Sequence, residues 1–207
     1  MEQIISAVMN AIHNAGMVEV EVSARHVHLT QTDVELLFGQ GAQLIPVRPL
    51  SQPGQYLSEQ RVTLVGSKGK KERVAVLGPV RKDTQVELSK SDCVELGVTA
   101  PVRESGDVKG SGAITIVGPC GTLQISEGVI IARNHIHVSA ADSLKLGLKD
   151  KQKVSVEVLT ERPIIFKDVV VRVSDQFRCK MHIDFDEANA AMVSGFTLGR
   201  IIRSPHN

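Results

Sequence analysis

The sequence predicts a mainly β fold with short capping helices, arranged as two small β-barrels. Many short valine-rich runs are separated by turn residues, for example residues 61–65 and 73–77, which is typical of strands in small all-β structures. The helical segments between these runs are short and begin at residues that cap helices. This pattern differs from the regular alternation of strands and long helices that gives a parallel α/β sheet.

Length and composition are those of a globular protein with one large domain or two small ones. The chain has 207 residues, of which 42% are hydrophobic and 23% are charged. Its net charge of +1 and its aromatic content of 3% provide neither the basic surface nor the stacking side chains of a nucleic-acid-binding protein. No apolar run approaches the ~20 residues of a membrane span. We therefore expect neither nucleic acid nor a membrane as a partner.

The three cysteines indicate a reducing compartment. Cys93, Cys120 and Cys179 are scattered along the chain and form no C-x-x-C pair. A disulfide framework or a cysteine zinc cluster is therefore not expected.

Residues 1–16 stand apart from the rest of the chain as an amphipathic helix. Apolar residues from Ile4 to Ile12 follow helical spacing, polar residues lie opposite, and Gly16 ends the run. One interpretation is a helix that packs on its own domain. The other is a detachable segment that docks on a partner. The residues alone leave both open.

The remaining elements follow in order from residue 18. Alternation of valine with polar residues predicts a first strand over residues 18–22, and Pro46 to Gly54 predict a turn. Glycine-containing turns at residues 66–69 and 118–121 each predict a hairpin. The later segments comprise strands at residues 129–131, 154–159, 164–166 and 169–173, and a helix at residues 184–191.

An H-x-H pattern occurs twice. His26 and His28 would project from one face of a strand, and His135 and His137 repeat the arrangement. Two imidazoles on one strand face can form half of a metal site. Paired histidines also occur as ordinary surface residues, so a single copy would carry little weight.

The same local pattern occurs four times in all. Thr30 and Ser139 follow the H-x-H pairs and are predicted to cap helices, with an acidic residue three positions on. Glu87 and His182 also precede a capping residue by two positions. Each of the four potential ligands should therefore lie where a strand ends and a helix begins. Histidine and glutamate also occur at strand ends without binding metal, but four sites in register favour the functional interpretation.

Two sets of three ligands follow from this pattern. Three protein ligands with one open position are typical of a catalytic zinc site, and cobalt, nickel or iron are alternatives. Two such sets would hold two metals, or one set could be vestigial. Arg81 is a candidate for anion binding because a guanidinium matches phosphate in a bidentate way. The sets are His26, His28 and Glu87, and His135, His137 and His182.

At these residues the chain resembles the PduL-type phosphotransacylases, also called phosphate propanoyltransferases. The likeness covers roughly residues 18–191, and its many ordered blocks make it specific. The matching blocks are residues 23–29, 50–55, 62–66, 77–79, 85–87, 103–106, 128–132, 135–137, 181–184 and 186–191. Two departures are notable: Arg48 stands where lysine is common, and Asn134 separates Arg133 from the following histidine, which puts the role of Arg133 in question.

The resemblance implies a division of the chain and a set of site residues. It implies a central β-barrel over residues 25–132, a second barrel from residues 17–24 and 133–203, and two zinc ions at the barrel interface held by the two ligand sets. Arg81 matches a phosphate-binding arginine and is our candidate catalytic residue. The residues implied to contact substrate are Ser23, Arg48, Gln52, Leu77, Gln85, Ser105, Arg172 and Asn189.

The implied reaction is the reversible, zinc-assisted conversion of a short acyl-CoA, such as propanoyl-CoA, and phosphate into acyl phosphate and coenzyme A. Residues 1–16 resemble the peptides that load enzymes into bacterial microcompartments such as those for propanediol degradation. Shell or cargo proteins are therefore expected partners, in the bacterial cytoplasm, and a homo-oligomer is compatible with the sequence. The competing interpretations are a metal-dependent thioester or ester hydrolase and a non-catalytic metal-binding or scaffold protein.

Overall fold

The computed structural model describes residues 2–202, with the side chains of residues 2 and 6 excepted. Residue 1, where the predicted helical segment starts, and residue 203, the predicted end of the second barrel, lie outside the described residues. Within residues 2–202, no helix combines the length and the apolar character needed to cross a membrane.

The described chain consists of two compact units. The first unit contains the residues up to Ser23 and those from Asn134 onward, and the second contains Ala24–Arg133. Each unit is built around a closed β-barrel, which confirms the predicted fold class of mainly β structure with two barrels and short helices.

Short strands outnumber helices in both units. The helices are α1 (Glu2–Asn14), α2 (Gln31–Phe38), α3 (Lys90–Leu96), α4 (Ala140–Leu146) and α5 (Phe185–Ala190). The strands of the first unit are β1 (Met17–Ser23), β10 (His135–Val138), β11 (Lys153–Val158), β12 (Ile164–Val173), β13 (Lys180–Asp184) and β14 (Thr197–Ile202). The strands of the second unit are β2 (His26–His28), β3 (Pro46–Pro49), β4 (Tyr56–Val65), β5 (Lys70–Gly78), β6 (Gln85–Glu87), β7 (Val102–Arg103), β8 (Gly112–Val117) and β9 (Thr122–Ala132).

The barrel of the first unit has the strand order β1–β13–β10–β12–β11–β14, and β14 pairs with β1 to close it. Apolar side chains that alternate along these strands point inward and form one buried core. Val20, Ile136, Val156, Val171 and Met181 are members of this core and are at most 2% exposed.

The barrel of the second unit closes through the order β4–β5–β2–β6–β9–β8, and β8 pairs back onto β4. The strands β3 and β7 extend the sheet outside this ring. The prediction of a turn over Pro46 to Gly54 is wrong for its first part, because β3 forms there. Both prolines of β3 lie on a strand with only β4 as a neighbour, where a missing N–H donor costs no ladder hydrogen bond.

All four predicted transitions from strand to helix are present. Thr30 and Ser139 each accept a hydrogen bond from a backbone N–H three residues on, at 3.1 Å. Ser89 and Asp184 form complete capping boxes at the starts of α3 and α5. These caps satisfy backbone donors at the helix starts, and they place each helix directly after a strand that carries a potential metal ligand.

Two hairpin turns of the second unit pack against the C-terminal ends of α2 and α3. A Cβ on Gly66, in the β4–β5 turn, would come within 2.0 Å of the carbonyl oxygen of Leu96 at the end of α3. A Cβ on Gly118, in the β8–β9 turn, would come within 2.4 Å of the carbonyl oxygen of Leu37 in α2. Glycine is therefore required at both turns for the backbones to approach so closely.

The helix α1 packs on its own unit but leaves part of its apolar surface exposed. His13 is 6% exposed and lies 3.6 Å from Asp142 of α4, and Lys145 of α4 donates a hydrogen bond to Asn10 at 3.1 Å. Ile4, Ile5 and Val8 are 69%, 57% and 52% exposed, respectively. The structure therefore contains the packed helix of one interpretation and the exposed apolar face that the other requires.

Asp92 links α3 to the start of the ligand strand β2. Its side chain is 2% exposed, accepts a hydrogen bond from Arg25 Nε at 2.8 Å and lies 3.4 Å from Lys71 Nζ. Burial disfavours the charged carboxylate, but the Arg25 hydrogen bond and charge, together with the Ser89 amide, lower the pKa of Asp92 overall.

We expect Asp92→Asn to lower the free energy of unfolding by roughly 1–3 kcal/mol at pH 7, because a buried charge-assisted hydrogen bond is lost. Because the pKa of Asp92 is lowered in the folded protein, the ionised carboxylate stabilises the fold at pH values above the ordinary aspartate pKa of about 3.9. This stabilisation is lost as the pH falls and the carboxylate becomes protonated. The difference between the variant and wild type should therefore shrink near pH 3.5 in urea unfolding. Asp107→Asn, which removes a 56% exposed partner of Arg103, is the matched control and should change stability little. A difference for Asp92→Asn that does not depend on pH would contradict this account.

Candidate metal centre

The first ligand set forms a compact, buried cluster in the second unit. The strands β2 and β6 pair antiparallel, and this pairing places His26 directly opposite Glu87. His28 lies two residues further along the same face of β2. His26, His28 and Glu87 are 8%, 2% and 8% exposed, and each offers a ligand atom within 4.8 Å of those of the other two.

The hydrogen bond of His26 orients its ring for metal binding. Its Nδ1 lies 2.8 Å from the carbonyl oxygen of Ala24, which can only accept, so Nδ1 carries the proton. The neutral ring then presents a lone pair at Nε2, which lies 3.5 Å from Glu87 Oε2. A backbone carbonyl that fixes the tautomer in this way is the usual second contact of a metal-binding histidine.

His28 has a buried ring nitrogen that a metal would satisfy. Its Nδ1 is buried and has no hydrogen-bond partner among residues 2–202. A buried polar atom without a partner costs about 1–3 kcal/mol. Coordination of a cation would remove this cost. Two imidazoles and a carboxylate are a donor set that suits zinc, so the residues present fit such an ion.

The charges of the cluster depend on one another. Burial and the nearby charges of His26 and Arg81 lower the pKa of His28 to about 2, so its imidazole is neutral and able to ligate a metal. Burial opposes protonation of His26, but the charge and hydrogen bond of Glu87 raise its pKa overall. Burial also opposes ionisation of Glu87, yet His26 keeps the pKa of this carboxyl well below its usual range. A bound cation would replace the proton that Glu87 stabilises on His26.

Arg81 lies beside this cluster. Its charge contributes to the lowered pKa of His28 and opposes the rise in the pKa of His26 that Glu87 causes. Its backbone N–H donates to the carbonyl oxygen of Leu29, the residue after His28, at 2.8 Å. Its Nη1 donates to Ser105 Oγ at 3.1 Å. A fixed guanidinium next to three side chains that could hold a metal ion is a suitable group for binding an anion.

The second ligand set forms a wider cluster in the first unit. The pairing of β10 with β13 places His135 opposite His182. The ring centroids of His135, His137 and His182 are 4.6–5.2 Å apart. Among residues 2–202, only His26, His28 and Glu87 bring all their ligand atoms within 4.8 Å of one another.

Comparison with known proteins agrees with the geometry. Residues 19–194 match the family model described as phosphate propanoyltransferase, which spans both ligand sets. The chain belongs to the phosphate propanoyltransferase family. The resemblance seen in the sequence motifs is thus confirmed.

Relatives named phosphate propanoyltransferase align with nearly all of the chain. The protein from Clostridioides difficile is 44% identical over 203 residues, covering 98% of this chain and 97% of its own. The protein from Thermotoga maritima is 53% identical over 176 residues and covers 84% of each chain. The protein from Lachnoclostridium phytofermentans is 50% identical over 186 residues, covering 89% of this chain and 85% of its own.

The predicted substrate residues of the second unit differ in their burial and in whether they contact His28 or Arg81. Ser105 is half-buried against Arg81, and Gln85 is buried opposite His28 on β6. Leu77 lies on β5, and its backbone interacts with His28. Gln52 is 4% exposed in the turn after β3, whereas Arg48 is exposed on β3 itself.

In the first unit, two of the three predicted substrate residues lie next to the ligand strands. Arg172 on β12 is in register with His137, and its guanidinium lies 5.8 Å from the ring centroid of Phe177. Ser23 is in register with Asp184 at the ends of β1 and β13. Asn189 is exposed on α5.

In this member of the phosphate propanoyltransferase family, several residues contact the histidines of the second ligand set or the start of α5 but were not predicted from the sequence. Glu21 Oε2 lies 3.6 Å from His182 Nδ1, and the Phe177 ring lies 4.1 Å from that of His137, centroid to centroid. Asn134 donates to Glu187 Oε1 at 2.6 Å and so contacts the capping box of α5. The signal for Glu21 was its polar position in a predicted strand, but its partner depends on the parallel pairing of β1 with β13, which joins distant segments.

We expect His28 to remain neutral in the metal-free protein throughout pH 5–8, because its folded pKa of about 2 lies far below this range. His26 should titrate above the ordinary value of about 6.5. Imidazole ¹⁵N chemical shifts recorded against pH would report both, and His28→Gln would identify the His28 signals by their loss. Titration of the His28 ring near pH 6.5 would contradict the buried placement.

Proposed function

We propose that this protein transfers an acyl group reversibly between coenzyme A and phosphate, with a short acyl chain such as propanoyl. The observation that carries the proposal is the buried cluster of His26, His28 and Glu87 with Arg81 held beside it. This arrangement joins a metal-ligating set to an anion-binding group, and relatives that align with the whole chain carry the name of that reaction.

In this proposal, Arg81 binds phosphate. Its planar guanidinium matches two phosphate oxygens, and its half-buried position strengthens the interaction because water screens it less. The hydrogen bond to Ser105 fixes the side chain before substrate binds. A pre-positioned phosphate lowers the entropic cost of bringing the two reactants together.

We further propose zinc as the cofactor, with one ion held by His26, His28 and Glu87 and a second by His135, His137 and His182. The neutral His28 and the oriented His26 support the first site, and the shared location of three imidazoles supports the second. A bound zinc ion supplies Lewis acidity to a carbonyl or phosphoryl oxygen.

Phosphate attacks the thioester directly in this proposal. A phosphate oxygen forms a new bond to the acyl carbon, the bond from that carbon to sulfur breaks, and the proton of hydrogen phosphate ends on the sulfur of coenzyme A. Two of the cysteines are poor nucleophiles: Cys93 is 1% exposed, and burial raises the pKa of Cys179 to about 12. An isolable acyl-enzyme would contradict direct attack.

The remaining substrate contacts are part of the same proposal. Leu77 and Gln52 are buried or half-buried in the second unit, and Arg172 lies in register with His137. The proposed contacts are Ser23, Arg48, Gln52, Leu77, Arg172 and Asn189. The family resemblance also implies Gln85 and Ser105, whose hydrogen bonds lie within the network around Glu87 and Arg81.

The reaction can be tested by measuring thiol release from propanoyl-CoA with and without phosphate, before and after metal chelation. We expect release to require phosphate, to stop on chelation and to return with zinc. Release without phosphate would instead indicate a hydrolase. Absence of release from propanoyl-CoA and other acyl-CoA compounds would leave a metal-binding protein without this activity.

We expect Arg81→Ala to lower kcat/KM roughly 10²–10³-fold, the range found when one group that stabilises charge in the transition state is removed. The KM for phosphate should rise more than that for propanoyl-CoA, and Arg81→Lys should restore only part of the activity. Arg200→Ala is the matched control, because Arg200 is 57% exposed and its ionic contact is with the half-buried Glu157, at 3.8 Å. Equal losses for both variants would contradict a specific role for Arg81.

We also propose that residues 1–16 bind shell or cargo proteins of a bacterial microcompartment, and that the enzyme works there in the bacterial cytoplasm. The support is the exposed apolar face of α1, formed by Ile4, Ile5 and Val8. Such a face costs free energy in water and is a suitable contact for another amphipathic helix.

Deletion of residues 1–16 should abolish co-localisation with shell proteins while the barrels still fold. Because Ile4, Ile5 and Val8 are already exposed, replacing all three by serine should weaken co-localisation with little change in thermal stability. Unchanged co-localisation of both variants, followed by fluorescence microscopy of tagged protein, would contradict the proposal.

A further inference from the structure

Gln85 is a fully buried polar side chain beside the candidate metal centre. It is 2% exposed and lies on β6 directly opposite His28, two residues before Glu87 on the same strand face. A buried primary amide must satisfy two donors and an acceptor, so its neighbours show what it does.

The hydrogen bonds of Gln85 fix the amide in one orientation. Its Nε2 donates to Glu87 Oε1 at 2.5 Å and to Ser105 Oγ at 2.9 Å, and its Oε1 accepts from the Gly106 N–H at 2.7 Å. The reverse orientation would place an oxygen against the Glu87 carboxylate and an amine against an N–H. Both contacts would be repulsive, so the chain defines the orientation without a ligand.

The side-chain oxygen of Ser105 is also engaged in hydrogen bonds within the chain. Ser105 Oγ accepts hydrogen bonds from Gln85 Nε2 at 2.9 Å and from Arg81 Nη1 at 3.1 Å, and the Ser105 side chain helps to lower the pKa of Glu87. A hydroxyl has two acceptor sites and one donor. These two contacts use both acceptor sites of Ser105 Oγ, so it can accept no further hydrogen bond from a substrate.

We propose that Gln85 is a positioning residue that couples the metal ligand Glu87 to the anion-binding Arg81 through Ser105. The amide holds the oxygen Glu87 Oε1, which leaves Oε2, the oxygen that faces His26, as the one that would bind a metal ion. The same amide holds Ser105 and Gly106, and Ser105 in turn holds Arg81. This inference rests on the proposed function, since it assigns Gln85 and Ser105 a role behind the reacting groups rather than in contact with substrate.

The direct test is the zinc affinity of Gln85→Leu, measured by competition with a chromogenic chelator. Loss of an outer contact to a metal ligand typically weakens metal binding by about 10–100-fold, and we expect this range together with a higher KM for phosphate. A side chain that only contacts substrate would change KM and leave zinc affinity unchanged. A side chain that only stabilises the fold would lower the melting temperature and also leave zinc affinity unchanged.

Ser58→Ala is the matched control in the same barrel. Ser58 is fully buried and donates to the carbonyl oxygen of Val76 at 2.8 Å, so the variant loses a buried hydrogen bond away from this network. It should lower the melting temperature without changing zinc affinity.

Ser105→Ala provides a second variant that decides the question if Gln85→Leu does not fold, because Ser105 lies half-buried on a loop. It should weaken zinc binding and raise the phosphate KM. The loss of zinc-binding free energy in the double variant should be smaller than the sum of the losses in the two single variants, because both residues act through one network. The inference would be overturned if a folded Gln85→Leu variant kept the wild-type zinc affinity. If Gln85→Leu does not fold, unchanged zinc affinity of Ser105→Ala would overturn it. A wild-type protein that binds no zinc would also overturn it. Zinc binding without phosphate-dependent thiol release would overturn the proposed reaction, while the affinity comparison would still decide the role of Gln85.

Discussion

The strand register opposite each H-x-H pair is the constraint on which the candidate site depends. In the second unit the register of β2 with β6 places His26 opposite Glu87, and in the first unit the register of β10 with β13 places His135 opposite His182. A shift of one residue would turn the third ligand to the other face of the sheet. The buried valines between the ligands, such as Val27 and Val86, which are opposite each other and fully buried, oppose such a shift because it would expose them.

The rest of each unit keeps these short strands in place. The strand β2 has three residues, which is too short to fix its own position, and it lies between the nine-residue β5 and the equally short β6 of a closed ring. A capped helix follows each ligand strand, and Asp92 and Arg25 join α3 to the start of β2. The same residues that end the strands therefore also limit the freedom of the candidate metal ligands, which favours a pre-organised site.

The local features of this structure are predictable from the sequence. The H-x-H pairs, the four caps and the hairpin turns each depend on residues a few positions apart, and all appear as expected. The strand β3 was missed because its prolines favour a turn locally, while its pairing with β4 stabilises an edge strand. The contact of Glu21 with His182 and the enclosure of Gln85 could not be predicted from local sequence, because both depend on pairings or contacts between distant segments.

The most direct measurement is the zinc content per chain of wild type and of two variants that each lose one ligand set. His26→Ala combined with His28→Ala removes two ligands from the second unit, and His135→Ala combined with His137→Ala removes two from the first. The account predicts two zinc ions per folded wild-type chain and one per chain in each variant, because each unit forms its own ligand cluster. A wild-type chain without zinc, or equal zinc content in all three proteins, would contradict it.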